Sequence, residues 1–199
     1  MSAPLYLRGA VLALLDTPHL SAATRAAWEK RLHPAALADP VFFSLAAFAT
    51  LRAVEARLVT PVGGIDTGAA AGLDAQLAAS EGPGWRYDTL PPDAVSYRDG
   101  IAAIDASAVA SAGLPFAEFG AEAQDALLHD VQRGAAPGAI WAGLDQRRFF
   151  EMLLAALTEF QVAHPAVQDA IGCAAAADLP EWTAIGLGER EPREPEAIR

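Results

Sequence analysis

The chain has 199 residues, a formal net charge of −11, and 53% hydrophobic against 20% charged residues. That balance excludes a disordered chain, and the length allows one folded domain with an appendage. The acidic excess argues against nucleic acid as a partner, which needs clustered Lys and Arg. The sole cysteine, Cys173, excludes an internal disulfide, a Cys-ligated iron–sulfur cluster and a C-x-x-C-H haem attachment within the chain.

At the N-terminus, residues 5–15 form a short apolar run ended by Asp16, with one Arg before it. This is a poor export signal and reads as a first amphipathic helix stopped by Thr17-Pro18. No run approaches the about 20 apolar residues of a membrane span. Ser21 can cap the next helix, through Trp28 to Leu32, which His33-Pro34 ends. From Pro40, residues Phe42, Phe43, Leu45, Phe48, Leu51, Val54 and Leu58 predict a broad-faced helix closed by Pro61 and Gly63-Gly64. Asp66 or Thr67 can cap a weaker helix through Leu73 and Leu77, and residues 80–87 form a loop.

Pro91-Pro92-Asp93 then opens a helix along Val95, Ile101, Ile104, Ala108 and Val109, ending near Gly113. Phe116 and Phe119 lead into a helix from Ala121 to Arg133, stopped by Gly134. After Pro137-Gly138, Asp145 can cap a helix from Gln146 to Val162 with Phe149, Met152, Leu153, Ala156, Leu157 and Phe160 as its stripe. Period-2 strands are hard to find. The expectation is an all-α, single bundle-like domain of about six to eight helices over residues 1–185. An extended, irregular Pro/Glu-rich tail follows over 186–199.

Chemistry-bearing patterns are sparse. The histidines are His19, His33, His129 and His164. A carboxylate-bridged di-metal bundle needs Glu-x-x-His pairs, and the chain has none. A stand-alone helical enzyme or metal-binding protein would have to use Asp125 and His129, four apart on one helix, with His164. The competing reading is a solvated helical pair and a histidine capping a helix C-terminus. Glu151 and Glu159 stand two turns apart, a spacing common on exposed faces. Gly82-Pro83-Gly84 and Gly186-Leu187-Gly188 follow no strand and make poor phosphate cradles. There is no G-x-S-x-G elbow. No catalytic, cofactor-binding or metal residue is therefore assigned.

The aromatic loops remain. Trp85-Arg86-Tyr87, Trp141 and Trp182 are residue types that dominate interface hot spots, or else they plug the ends of the bundle. The candidate partner surface is Trp85, Arg86, Tyr87, Trp182, Ile185 and Leu187, with the tail through Glu194. The sparse surface charge fits either a partner's buried patch or an alanine-biased composition.

Ordered segments along the chain carry a resemblance. They are G-W-R-Y at residues 84–87, Y-R-D-G-I at 97–101, F-x-x-F at 116–119 with A-Q-D-A-L-L at 123–128, and F-F-E-M-L at 149–153. H-P-A-V-Q-D-A-I-G at 164–172, D-L-P-E-W-T-A-I-G at 178–186 and the final E-R-E-P-R-E-P complete it. The chain resembles the gluconate 2-dehydrogenase subunit 3 family, the small subunits of FAD-dependent sugar and alcohol dehydrogenases, from about Phe42 to Pro195. The resemblance implies a non-catalytic helical subunit that binds and matures a flavoprotein of the glucose-methanol-choline (GMC) type. FAD then belongs to that partner, a cytochrome or other acceptor takes the electrons, and the substrate is a sugar or other alcohol. Family members often begin with a twin-arginine signal and this chain does not. The expectation is therefore a cytoplasmic pair, with export on the partner's signal, or a trimmed upstream start, as the alternatives.

Overall fold

The computed structural model describes residues 7–33, 39–82, 84, 87–173, 184 and 186–191. Among them the chain is all-α, with seven α-helices joined by 3-10 turns and loops and no strand. It divides into two compact units. One comprises Met1–Ala35, Pro61–Thr67 and Gln161–Arg199, and the other Ala36–Thr60 and Gly68–Phe160.

The first unit holds α1 (Ala22–Leu32), α7 (Pro165–Ile171) and a 3-10 turn at Leu12–Asp16. Ser21 caps α1 as its sequence predicts, accepting from the Thr24 amide. Val11, Leu14, Leu20 and Trp28 form a small core. The helix expected over residues 5–15 is, in its described part, only that 3-10 turn. The Asp169 carboxylate accepts the Gly9 and Val11 amides at 2.7 and 2.9 Å, so a side chain satisfies donors that helical bonds would otherwise use. His164 differs from expectation too. It stands at the N-cap of α7 rather than ending a helix, and Pro165 fills the first turn, where a missing N–H removes no bond.

The second unit is built from α2 (Leu45–Leu58), α3 (Ala69–Ala78), α4 (Asp93–Ala112), α5 (Ala121–Arg133) and α6 (Gln146–Val162) up to Phe160. α2 packs against α3, α4 and α5. Leu51, Val54, Ile101, Phe116, Phe149 and Leu153 are fully buried in the shared core. α4 runs from the Pro91-Pro92 break to Gly113, whose φ of 74° ends it in the left-handed region that glycine favours. Gly134 ends α5 in the same way. Asp145 opens α6 by accepting the Arg147 and Arg148 amides.

Three details depart from the sequence reading. α2 starts at Leu45 rather than Pro40, capped by Ser44 accepting from the Ala47 amide. Phe42 and Phe43 lie before it, where the buried Asp74 carboxylate of α3 accepts the amides of Val41, Phe42 and Phe43 at 2.6, 3.0 and 2.8 Å. The cap of α3 is Gly68 rather than Asp66 or Thr67, and Glu55 of α2 takes the Ala69 amide at 2.8 Å. On α4, Val95 and Val109 are exposed, while Tyr97, Gly100, Ile101 and Ile104 face inward.

Candidate functional site: an acidic-rimmed apolar pocket

Of the expected partner surface, Trp85, Arg86, Trp182, Ile185 and Glu194 lie outside the described residues. Tyr87 is half-buried, with the Arg148 guanidinium 4.5 Å from its ring centroid. Arg148 also binds Glu151 at 2.7 Å, and the Tyr87 hydroxyl hydrogen-bonds the same carboxylate. These two bonds, Arg148's first, hold the Glu151 carboxyl below its usual range. Leu187 is fully exposed on a turn where the Gly186 amide donates to Glu189 at 3.0 Å. Beyond it Glu191 is buried and accepts the Ala184 amide at 2.7 Å, so this part of the tail folds back on itself. Trp141 takes the plug role. It is buried, tilted against Phe149, and donates its indole N–H to Ser107, which in turn donates to the Pro137 carbonyl.

Of the three residues weighed for chemistry, Asp125 and His129 stand one turn apart on α5. Asp125 is bound in a two-pronged pair by Arg57, both distances 2.7 Å, and that hydrogen bond lowers the carboxyl's pKa. His129 is exposed and contacts Gln132 at 3.3 Å. His164 belongs to the other unit and is buried. Desolvation lowers its pKa, outweighing a hydrogen bond with the Arg31 backbone that favours the charged form. Its Nδ1 and the Oε1 of Gln168, one turn on, are buried without a hydrogen bond. No group of three His, Cys, Asp or Glu among the described residues could hold a metal ion, and none of their helices is long and apolar enough to cross a membrane.

A concavity lies in the second unit, among α3, residues 81, 82 and 87, α4 and α6. It encloses about 110 Å³, with Leu73, Leu77, Met152, Ala156 and Phe160 as apolar wall. Glu81, Asp93 and Glu159 also line it, as does Tyr97. Tyr97 is only 6% exposed and packs edge-on to Phe149. Burial pushes its hydroxyl pKa up, and the nearby charges of Asp93 and Glu159 push it further. A more open hollow of about 360 Å³ adjoins, sharing Leu77, Glu81, Gly82 and Asp93. Sequence reasoning found Tyr87 and weighed Glu159 but missed Glu81, Asp93 and Tyr97. The available signal was the i,i+4 spacing of Asp93 and Tyr97, which puts them on one face of α4.

Gly82 and Gly186 each face a carboxylate. A Cβ on Gly186 would lie 2.6 Å from the Glu189 carboxyl carbon, and one on Gly82 2.9 Å from an Asp93 oxygen. A pyrophosphate placed at either would meet negative charge, so these residues do not fit a dinucleotide.

The family model described as gluconate 2-dehydrogenase subunit 3 matches residues 46–186, from the first turn of α2 to the turn beyond α7. No curated protein and no solved structure matches the chain.

Proposed function

This chain belongs to the gluconate 2-dehydrogenase subunit 3 family, and on that premise we propose that it is the non-catalytic small subunit of an FAD-dependent, GMC-type oxidoreductase. The flavoprotein partner carries FAD and oxidises a sugar or other alcohol. This chain binds that partner and stabilises its folded, FAD-loaded form. The observation that carries the reading is the family match, which spans 46–186. The side chains support it: Asp125 is held by Arg57, Asp74 and Asp169 by backbone amides, and neither glycine-rich turn suits a phosphate.

The physical role needs no chemistry in this chain. A subunit that binds the folded flavoprotein but not its unfolded form raises apparent stability by mass action, about 2.7 kcal/mol at a hundredfold excess over Kd. The test is to express the flavoprotein partner with and without this chain. Co-purification is expected, with loss of soluble, FAD-loaded flavoprotein when the chain is omitted. A flavoprotein that folds, loads FAD and turns over normally alone, without retaining this chain, refutes the proposal.

A further inference from the structure

We infer that the pocket of the second unit receives one basic side chain, Arg or Lys, presented by the partner polypeptide. Three observations converge there. The wall is apolar, through Leu73, Leu77, Met152 and Phe160, which suits the methylene stem of such a side chain. Glu81, Asp93 and Glu159 line the same space, and none of them has a cationic partner among the described residues. Tyr97 is 94% buried by its 6% exposure, lines the pocket, and its hydroxyl has no hydrogen-bond partner among the described residues. Among the described residues the enclosed side-chain atoms without a bond are His164 Nδ1 and Gln168 Oε1, so the Tyr97 hydroxyl meets the water of the pocket. An incoming guanidinium or ammonium donates to it in that water's place, whereas an apolar occupant strips the water and leaves it unbonded.

Size narrows the occupant. The volume of about 110 Å³ is on the scale of cavities of about 150 Å³ that take a benzene ring, so it receives the end of one side chain and not a larger ligand. Sign narrows it further. An anion would be repelled by three carboxylates, and an uncharged apolar group would leave Tyr97 unsatisfied. A cation on an apolar stem meets both demands. Arginine is also among the residue types that dominate interface energetics. That the side chain comes from the catalytic subunit rests on the subunit reading above; the cation chemistry of the pocket does not.

The experiment has two arms. In the first, the full chain is titrated with butylguanidinium and, separately, with uncharged pentanamide, following the methyl NMR signals of Met152 and Ala156. Saturable shifts with butylguanidinium alone are expected. Glu81→Gln/Glu159→Gln should weaken that binding about two- to thirtyfold, as two exposed charge pairs would. Tyr97→Phe should weaken it while leaving the helical spectrum unchanged. Equal response to both probes, or no saturation, overturns the inference. In the second arm, Glu81→Gln/Glu159→Gln is tested for retention by the co-expressed flavoprotein. Weakened retention supports the partner side chain as occupant. Full retention overturns that source even if butylguanidinium binds. If the guanidinium binds and no flavoprotein is ever retained, the subunit reading fails and the pocket's cation chemistry stands.

Discussion

Gly100→Ala tests the packing that holds the pocket's back wall. Glycine inside a helix normally costs about 0.8–1.0 kcal/mol relative to alanine, so helix propensity alone predicts that this change stabilises α4. Packing predicts the opposite. A Cβ at Gly100 would stand 2.2 Å from Cε2 and Cζ of Phe149 and 2.6 Å from Cδ2. Relaxed carbon contacts lie near 3.5–4.0 Å, so about 1.3 Å must be found. Phe149 has little room to give, being fully buried with Tyr97 and Trp141 at centroid distances of 6.4 and 6.1 Å. Trp141 is itself fixed by its 2.9 Å bond to Ser107. Overpacking of this kind costs about 1–3 kcal/mol and occasionally more, and the upper part of that range applies to a ring held on two sides. Subtracting the propensity gain leaves a net loss of about 1–2 kcal/mol. For a chain of this size that lowers the thermal midpoint by about 2–8 °C, readable by far-UV circular dichroism. Gly72→Ala is the control. Its Cβ would meet Phe160 at 2.6 Å, but that ring is half-exposed and can swing away, so a neutral or small positive change is expected. Adding Phe149→Leu to Gly100→Ala should recover about 1 kcal/mol of coupling. A midpoint that rises in Gly100→Ala, or no coupling in the double variant, refutes the packing argument.

Asp74→Asn should cost about 2–4 kcal/mol, because an amide cannot accept three N–H bonds and turns a donor toward them. The loss should appear as faster hydrogen exchange at Val41, Phe42 and Phe43, and unchanged exchange there would show that the carboxylate does not hold the segment. His164 should make the fold acid-sensitive. Its folded pKa is depressed by burial while the unfolded value is near about 6.5. Below that value the unfolded state binds more protons, so this contribution is fully present above it and is lost as pH falls through the folded pKa. Urea titrations between pH 7.5 and 5 should lose part of their slope with pH in His164→Gln; an identical slope would remove His164 as the cause.

Helix ends set by chemistry next to them in sequence were legible. Ser21, the Pro91-Pro92 break, Gly113, Gly134 and Asp145 each begin or end a helix where the sequence predicts. The misreadings occur where a distant side chain supplies the bond. Asp74 is 31 to 33 residues from the amides it accepts, which is why α2 does not start at Pro40. Asp169 is 158 and 160 residues from Val11 and Gly9. Glu55 replaces a local cap at Ala69. α7 escapes the sequence reading for a local reason: a histidine read as ending a helix at position 164 is followed by a proline, and proline is equally at home in a helix's first turn. Of the candidate partner surface, only Tyr87 and Leu187 fall within the described residues. The pocket was not legible because its residues come from α3, residues 81, 82 and 87, α4 and α6, none of which carries a motif alone.

The use of acidic residues follows a single pattern. Asp74, Asp169, Glu55 and Glu191 hold backbone amides, and Asp125 and Glu151 hold arginines. With a net charge of −11, carboxylates remain beyond those bonds. Most positions for such a group are indifferent, because a solvated carboxylate on a polar face gains and loses little. Glu81, Asp93 and Glu159 differ because they stand together at the rim of one apolar pocket, Glu81 and Glu159 exposed and Asp93 partly buried. Like charges gathered on one exposed rim repel one another only weakly through water. A cation from a partner reverses the sign of that term on binding. On the proposed subunit role, the same arrangement favours the complex over the free chain.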